Sequence, residues 1–277
     1  LEALGKLAAA SVAELAAGDL TVVGVTGSSG KTSTKDLIRA VLERAGTVVA
    51  PPGSFNNELG HPWTVLRADA STRFLVLELS ARGRGHIAAL AAIAPPRIGV
   101  ELNVGTAHLG EFGSRENIAE AKSELVQALP AAEAGGLAIL NADDPLVAAM
   151  ASKTTARVVT YGSDTSADIH ALDVRLDETA RASFTMVTPS GSAPVSLLVH
   201  GEHQVGNALA AAAVGLDCGM DVETVAAALS GAEAASARRM DVRTRADGVT
   251  VVNDSYNANP DSVRAALKAL VTMARSG

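Results

Sequence analysis

The sequence has few aromatic residues, a single cysteine, no long apolar run and no excess of positive charge. Of its 277 residues only Cys218 is a cysteine, so no disulfide can form within the chain, which fits a reducing compartment. Aromatic residues make up 3%, so a core has to be built mainly from Ala, Val, Leu and Ile. The formal net charge is -7 and there is no basic block, which argues against a nucleic-acid partner, because such binding depends on phosphate contacts.

The longest apolar run, at residues 208–216, is shorter than the roughly 20 residues that cross a bilayer. The sequence also shows no charged-then-apolar leader. We therefore expect a cytoplasmic protein without a membrane partner. The chain begins at Leu1 and ends in a helix-like stretch at Gly277, so we treat it as a piece of a longer protein. Nothing in the sequence indicates an obligate interface, and a monomer is the expected state.

Short β-rich runs alternate with amphipathic stretches, which predicts an α/β fold with a mostly parallel sheet flanked by helices. The predicted strands of this sheet cover residues 21–26, 47–50, 74–79, 97–103, 136–141 and 157–161. The predicted helices cover residues 1–18, 31–44, 85–93, 115–129, 145–151, 203–216, 222–229 and 260–274. Residues 168–200 predict a small antiparallel sheet packed beside the main one, and residues 241–253 a hairpin.

The strongest local signal is the strand–turn–helix segment at residues 21–33, which reads TVVGVTGSSGKTS. Glycines let backbone N–H groups approach phosphate oxygens, and a helix N-terminus favours an anion. Lys31 supplies a mobile positive charge, and the hydroxyl of Thr32 or Ser33 can ligate Mg²⁺. The usual spacing G-x-x-x-x-G-K-[ST] would place glycine where this chain has Val25, so the loop is a shorter form, T-G-x-x-G-K-T. A glycine-rich turn without function is the alternative.

Ionisable residues at the ends of the predicted strands are further candidates, because ligands of an open parallel sheet lie beyond the carboxyl ends of its strands. Glu78 lies near the carboxyl end of the predicted apolar strand 74–79, where a carboxylate is costly unless it binds a cation or forms a salt bridge. His108 lies in the loop after strand 97–103 and is either a site residue or a plain loop histidine.

Lys122 interrupts the apolar face of the predicted helix 115–129, between Ile118 and Leu125. A buried stem whose amine reaches water would explain this position. The alternative is a buried lysine with a lowered pKa that is available for chemistry.

Two later segments carry polar residues that are candidates for the site. His203 and Asn207 share a helix face at i, i+4, and the polar turn 254–260 directly follows a predicted strand. A strand-end turn alone would account for the composition of the second segment. No role is assigned to His61, His86, His170 and His200, whose spacing is not typical of a metal site.

In this order the segments resemble the Mur ligases, the family that builds the peptide of bacterial cell-wall precursors. The shared segments are TGSSGKT at 26–32, Glu78, NVGTAH at 103–108, Ala121-Lys122, NADD at 141–144, HQVGNA at 203–208, Arg239-Met240 and DSYNANP at 254–260. Within the family, SFNNELGHP at 54–62 and the form YNANP resemble the branch that adds D-Ala-D-Ala. At residues 237–239 the chain reads Ala-Arg-Arg where the family often has Pro-Gly before the arginine, which makes Arg238 an alternative to Arg239.

The resemblance implies an ATP-dependent ligase that adds D-Ala-D-Ala to UDP-N-acetylmuramoyl-tripeptide through an acyl phosphate, with Mg²⁺ at two sites. It assigns ATP binding to Thr26, Gly27, Ser28, Ser29, Gly30, Lys31, Thr32, Ser33, His203, Asn207, Arg239, Asp254 and Asn257. It assigns metal ligation to Thr32, Glu78, His108 and Lys122. It assigns catalysis to Lys31, His108 and Lys122, the last carbamylated by CO₂. Substrate contacts are assigned to Asn56, Asn57 and Ser80.

The same resemblance divides the chain into three parts. Residues 1–18 would be a linker helix from a missing N-terminal domain, 19–255 the central ATP-binding domain, and 256–277 the beginning of a C-terminal Rossmann-like domain. Two alternatives stay open: another amide ligase of this fold, such as an earlier Mur ligase or a folylpolyglutamate synthase, and a regulator that binds ATP without ligation.

Overall fold

The computed structural model describes residues 1–107 and 109–276. The strands are β1 (Thr21–Thr26), β2 (Val48–Val49), β3 (Phe74–Glu78), β4 (Ile98–Glu101), β5 (Leu137–Asn141), β6 (Arg157–Gly162), β7 (Ile169–Leu176), β8 (Arg181–Thr188), β9 (Gly191–His200), β10 (Asp241–Thr244) and β11 (Thr250–Asn253). The helices are α1 (Glu2–Leu15), α2 (Lys31–Leu42), α3 (Gly60–Val65), α4 (His86–Ile93), α5 (Leu109–Phe112), α6 (Arg115–Gln127), α7 (Pro145–Ala148), α8 (Gln204–Asp217), α9 (Val222–Ser230) and α10 (Pro260–Ser276). Short 3₁₀ turns cover Ala132–Ala134 and Ala149–Lys153.

Within the described residues, nine strands form one sheet in the order β2-β3-β1-β4-β5-β6-β7-β8-β9, and β10 pairs with β11 in a separate hairpin. Strands β1 to β6 pair in parallel, which confirms the predicted mostly parallel α/β fold. The predicted antiparallel strands β7, β8 and β9 are also present. They do not form a layer beside the main sheet, however, because β7 pairs with β6 at Tyr161 and Ile169 and so extends the same sheet.

Strand β1 lies inside the sheet and is covered on both faces, which explains its nearly continuous apolar run. Val23 and Val25 pack into the core that includes α2 and α8. Val22 packs on the other face, in the cluster with α1, α4 and α6. A Cβ atom at Gly24 would stand 3.0 Å from Leu125 of α6, so glycine lets this helix lie close to the sheet.

Helix α8 shows how a core with few aromatic residues is filled. Eleven of its residues, 204–205 and 207–215, are buried, and five of them are alanines. Side chains of one methyl group allow the helix backbone to approach α2 and the sheet closely, so packing density is reached without large rings.

The predicted elements differ from the observed ones mainly at their ends. The short helices α3 and α5 were not predicted, because four to six residues do not show a helical period. The predicted helix 145–151 is α7 followed by a 3₁₀ turn, and α2 ends at Leu42 rather than at residue 44. In the described part of the chain, no helix combines the length and the apolar character that crossing a bilayer requires.

His61 makes the stability of this fold dependent on pH. It is fully buried in α3, and burial lowers its pKa from 6.5 to about 4. The folded state therefore disfavours the charged ring, whereas the unfolded chain binds a proton near pH 6.5. The resulting stability is fully present above pH 6.5 and is lost as the pH falls toward 4, by about 3 kcal/mol.

We expect His61→Leu to remove this acid-sensitive part of the free energy of unfolding. The measurement is urea unfolding of the wild type and the variant from pH 7.5 to 4.5. Carboxylates that titrate in the same range are common to both proteins and cancel in the difference. Parallel stability profiles of the two proteins would contradict the prediction.

Candidate active site

The candidate phosphate-binding loop, residues 26–33, joins the end of β1 to the start of α2. Gly30 precedes α2 with φ 83°, a conformation that favours glycine. A Cβ atom there would also lie 2.9 Å from Oδ1 of Asn207, which brings α8 against the loop. Lys31 donates to the backbone oxygen of Gly27 at 2.6 Å, so its amine curls over the loop. The loop thus has the cradle shape that its sequence predicts.

Asn103 fixes this loop from the end of the neighbouring strand. Its backbone oxygen accepts from the N–H of Ser28 at 3.0 Å, and its side-chain oxygen accepts from the N–H of Ser29 at 2.9 Å. The Asn103 amide donates back to the oxygen of Ser29 at 3.2 Å. Because β1 and β4 are paired, these contacts hold the loop against the carboxyl edge of the sheet.

Glu78 ends β3, next to β1, and its side chain is fully buried. One carboxylate oxygen accepts from Asn56 at 3.2 Å, and the other, Oε1, has no hydrogen-bond partner among the described residues. Burial raises the pKa of Glu78, and Lys31 and Lys35 partly offset this rise. Thr32 also interacts with the carboxylate. An unpartnered buried oxygen beside a hydroxyl suits a hard cation such as Mg²⁺, which prefers oxygen ligands.

Two lysines of α2 surround Glu78, and one of them was not singled out from the sequence. Burial lowers the pKa of Lys31, with Glu78 opposing the shift and Arg239 adding to it. Lys35 is buried, donates to the oxygen of Pro51 at 2.8 Å and pairs with Asp36. Lys35 lies one helical turn after Lys31, and this i, i+4 spacing was the available signal.

Lys122 is buried in α6, with 6% of its surface exposed, so an amine that reaches water does not explain its position. Burial lowers its pKa, the charge of Lys31 adds to this shift and Glu101 opposes it, with the pKa falling to about 7 as the net result. A lysine with such a pKa is partly neutral at pH 7, as a nucleophilic amine must be. Its catalytic role stays a prediction.

Glu101 is the acidic partner that the sequence analysis missed. It ends β4, is fully buried, and neither carboxylate oxygen has a hydrogen-bond partner among the described residues. A Cβ atom at Gly99, two residues earlier on the same face, would touch Leu125, so Glu101 lies one pleat further along the α6 side, near Lys122. Burial raises its pKa well above the usual range, and Lys122 opposes this rise. An acid that ends an apolar strand was the signal that singled out Glu78, and it applies equally here.

The predicted site residue His108 lies outside the described residues. Within the described ranges 1–107 and 109–276, no cluster of three His, Cys, Asp or Glu side chains is placed to hold a metal ion. The metal ligands assigned from the family resemblance therefore stay predictions.

A cavity of about 500 Å³ opens beside the loop, within the range of small-molecule sites. Its walls come from the loop, from the ends of β5 and β6, from the start of α8 and from α10. Of the predicted ATP-binding residues it is lined by Ser29, Gly30, Ser33, His203, Asn207, Arg239 and Asp254.

The hairpin and the polar turn after it supply the far side of this cavity. The guanidinium of Arg239 lies over the ring of Tyr256 at 4.2 Å, and Asp254 accepts from the N–H of Met240 at 3.0 Å. Arg238 instead uses its carbonyl, which accepts from the N–H of Tyr256. Asn257 is exposed, bonds the N–H of Ala258 and is not among the residues that line the cavity.

The three predicted substrate-binding residues lie close together beside Glu78, to which Asn56 donates. Ser80 donates through its hydroxyl to the oxygen of Asn56 at 2.8 Å. Asn57 accepts from the N–H of Gly60 at 2.9 Å and so helps to begin α3.

The same segment carries an exposed aromatic pair. The rings of Phe55 and Trp63 stack with centroids 5.0 Å apart, and the guanidinium of Arg67 lies 5.2 Å from the Trp63 ring. Both rings are 43% exposed, next to the predicted substrate-binding residues.

A parallel sheet with this loop, buried lysines and strand-end carboxylates is typical of proteins that bind nucleotide phosphates, and two models of one ligase family match the chain. The model of the Mur ligase middle domain matches residues 25–215, more than half of the chain. The model described as Mur ligase, glutamate ligase domain, matches residues 238–277. The chain therefore belongs to the Mur ligase family.

Curated relatives of the chain include ligases that carry one and the same name. The UDP-N-acetylmuramoyl-tripeptide–D-alanyl-D-alanine ligase of Mycobacterium tuberculosis strain H37Rv is 63% identical over 274 residues, which is 99% of this chain and 53% of the relative. The enzyme of the same name from Bacillus subtilis is 38% identical, over 97% of this chain and 56% of the relative. The chain thus spans about half the length of the curated relatives it matches.

Solved structures give the same fold. MurF from Acinetobacter baumannii superimposes with a TM-score of 0.91 at 35% identity, over 98% of this chain and 58% of that one. The MurF ligase from Thermotoga maritima, solved in complex with ADP, gives 0.86 at 32% identity, over 98% and 61%.

The buried pair of Lys122 and Glu101 is testable through stability. Lys122→Met leaves the buried Glu101 carboxyl without its charged neighbour, and we expect a loss of about 2 kcal/mol at pH 6, where an amine with a pKa of about 7 is mostly protonated. Glu101→Gln in the same chain removes the stranded acid and should recover about 1 kcal/mol of it. The measurement is urea unfolding of the wild type, both single variants and the double variant. Strict additivity of the two single changes would rule out the pairing.

Proposed function

We propose that the chain is the ATP-binding part of a ligase that adds D-Ala-D-Ala to UDP-N-acetylmuramoyl-tripeptide in peptidoglycan synthesis, forming ADP. The observation that carries the proposal is the grouping of the loop, Glu78 and Lys122 at one edge of the sheet. The names of the relatives at 63% and 38% identity support the choice of substrates. The ADP complex of the Thermotoga maritima relative supports nucleotide use.

The nucleotide would lie in the cavity with its phosphates on the loop. Backbone N–H groups at the start of α2 and the Lys31 amine would bind the phosphate oxygens. The Lys31 amine, which bonds the oxygen of Gly27, would turn to the phosphates when they arrive. Arg239 would bind the terminal phosphate and Asp254 the ribose, from the opposite side of the cavity.

Thr32 and the free oxygen of Glu78 would hold one Mg²⁺, and Lys122, carbamylated, with His108 would hold a second. When bound, Mg²⁺ offsets negative charge on the transferring phosphoryl group. Glu78 stays in place because Asn56 donates to its other oxygen. Burial of Lys122 favours the neutral amine that reaction with CO₂ requires.

The reaction would proceed in two displacements. The terminal carboxylate of the tripeptide attacks the γ-phosphorus and releases ADP, which gives an acyl phosphate. The neutral amine of D-Ala-D-Ala then attacks the acyl carbon, phosphate leaves with the pair of electrons of the broken C–O bond, and the nitrogen releases one proton to solvent to give the amide. Asn56, Asn57 and Ser80 would hold the first substrate beside Glu78, so that much of the rate comes from positioning.

The domain organisation is proposed as follows. Residues 1–18 would link to an N-terminal domain, 19–255 would bind ATP, and 256–277 would begin the C-terminal domain. The glutamate ligase model starts its match earlier, at residue 238. We also propose that the protein is a monomer and that it acts in the cytoplasm.

The direct test measures ADP and phosphate release by the full-length protein with UDP-N-acetylmuramoyl-tripeptide, with and without D-Ala-D-Ala. We expect release that requires both substrates, and a pentapeptide product by mass. Release that depends on another amino-acid acceptor would replace the substrate but keep the ligase. ATP binding without any acceptor-dependent release would favour a regulator.

Lys31→Ala should lower product formation about 1,000-fold, because the amine offsets charge that develops in the transition state. Lys6→Ala is the matched control, since Lys6 is exposed on α1 and pairs with Glu2. Initial rates at saturating substrate check both variants. Near-normal turnover of Lys31→Ala would refute the role of Lys31.

A further inference from the structure

The residues 103–106, here called the 103–106 turn, follow β4 and are held from several directions. The N–H of Val104 donates to Asp144 at 2.7 Å, and its carbonyl accepts two bonds from the Arg115 guanidinium, at 3.1 and 2.6 Å. These contacts anchor the turn to α6 and to the segment before α7. The turn therefore has a defined shape.

The 103–106 turn is also bonded to the phosphate-binding loop. Besides the two bonds from Ser28 and Ser29 to Asn103, the N–H of Gly105 donates to the hydroxyl of Ser28 at 2.9 Å. A shift of the turn would thus move the loop that is expected to hold the phosphates.

On its other side the turn meets Asp261, 155 residues later in the chain. Oδ2 of Asp261 accepts from both the N–H and the hydroxyl of Thr106, at 3.0 and 3.1 Å. A Cβ atom at Gly105 would stand 2.5 Å from this oxygen, so the approach of the carboxylate requires glycine there. The other oxygen, Oδ1, faces Arg264 at 3.2 Å.

Asp261 lies in the first turn of α10, where an acid often serves the helix N-terminus. That task is already done by Asn259, whose side-chain oxygen accepts from the N–H groups of Asp261 and Ser262 at 3.0 and 2.9 Å. Oδ2 of Asp261 is therefore not needed at its own helix N-terminus and bonds Thr106 instead.

The two partners of this contact belong to facing walls of one cavity. Ser29 and Gly30 of the loop lie on one wall, and Ser262 and Ala265 of α10 lie on the other. Asp261 bridges them through the 103–106 turn. The Asp261–Thr106 contact is thus a direct link between the two walls, beside the packing of Ala269 against Met240 and the Lys268–Glu202 ion pair.

We propose that Asp261 is a positioning residue that holds α10 and the phosphate-binding loop at the spacing that binds nucleotide. The proposal rests on the proposed function in that ATP is the expected occupant of the cavity. Without the contact, the loop and α10 stay folded, but the distance between them varies. A bound nucleotide then no longer contacts both at the same time. The substrate segment around Asn56 lies beyond Glu78 and is not affected.

The test uses the full-length protein and a set of matched variants. Asp261→Ala removes the acceptor, Asp261→Asn keeps an oxygen for Thr106, and Thr106→Val removes one of the two donors. Arg264→Gln is the control, because it alters only the contact at Oδ1. Each variant is assayed for ADP affinity by calorimetry, for kcat and KM of each substrate, and for thermal unfolding without nucleotide.

We expect Asp261→Ala to weaken ADP binding and to lower kcat/KM for ATP about 10- to 100-fold, because only part of the free energy of the two lost hydrogen bonds is passed on to the nucleotide. KM for the UDP-linked substrate should change less than twofold. Asp261→Asn should recover most of the loss, Thr106→Val should give part of it, and the Asp261→Ala/Thr106→Val pair should be no worse than Asp261→Ala. Arg264→Gln should match the wild type.

Wild-type ADP affinity in Asp261→Ala, or full additivity with Thr106→Val, would overturn the proposal. So would a rise in KM for the UDP-linked substrate equal to that for ATP, since that would indicate general disruption. ADP binding needs no acceptor. A wild type that binds ADP but forms no product would therefore refute the proposed function, and ADP affinity would still decide whether Asp261 positions the nucleotide site. A wild type that does not bind ADP would end both.

Discussion

The burial of charged side chains at the ends of neighbouring strands is the constraint on which the rest of the structure depends. Glu78 faces the side of the sheet covered by α2, and Glu101 faces the side covered by α6. A charge taken out of water is tolerated only where an opposite charge or a ligand compensates it. Lys31 lies near the first and Lys122 near the second, so each helix must cover its own face before the acids are stable. The same groups form the candidate site.

The sequence is sufficient where a signal is local. The loop at residues 26–33 is read from strand, glycines, lysine and helix in a row, and Glu78 from an acid in an apolar strand. Glu101 carries the same signal and was missed, although it lies inside the predicted strand 97–103. The structure ends β4 at Glu101 itself.

Sequence patterns of this local kind do not predict contacts between distant segments. The bond between Asp261 and Thr106 and the approach of Asn207 to Gly30 join parts of the chain more than 150 residues apart. No periodicity encodes them, since they follow from the path of the whole chain. The joining of β7 to β6 is of the same kind: three alternating strands predict a meander but not which edge it extends.

The stacked pair of Phe55 and Trp63 gives the molecule a built-in optical reporter. Trp63 is the one tryptophan of the chain, and its ring is half exposed between Phe55 and the Arg67 guanidinium. Indole emission responds to nearby water and charge, so the fluorescence of the chain comes from the segment that begins with the predicted substrate contacts. Filling of that segment can therefore be followed in this chain without attaching a dye.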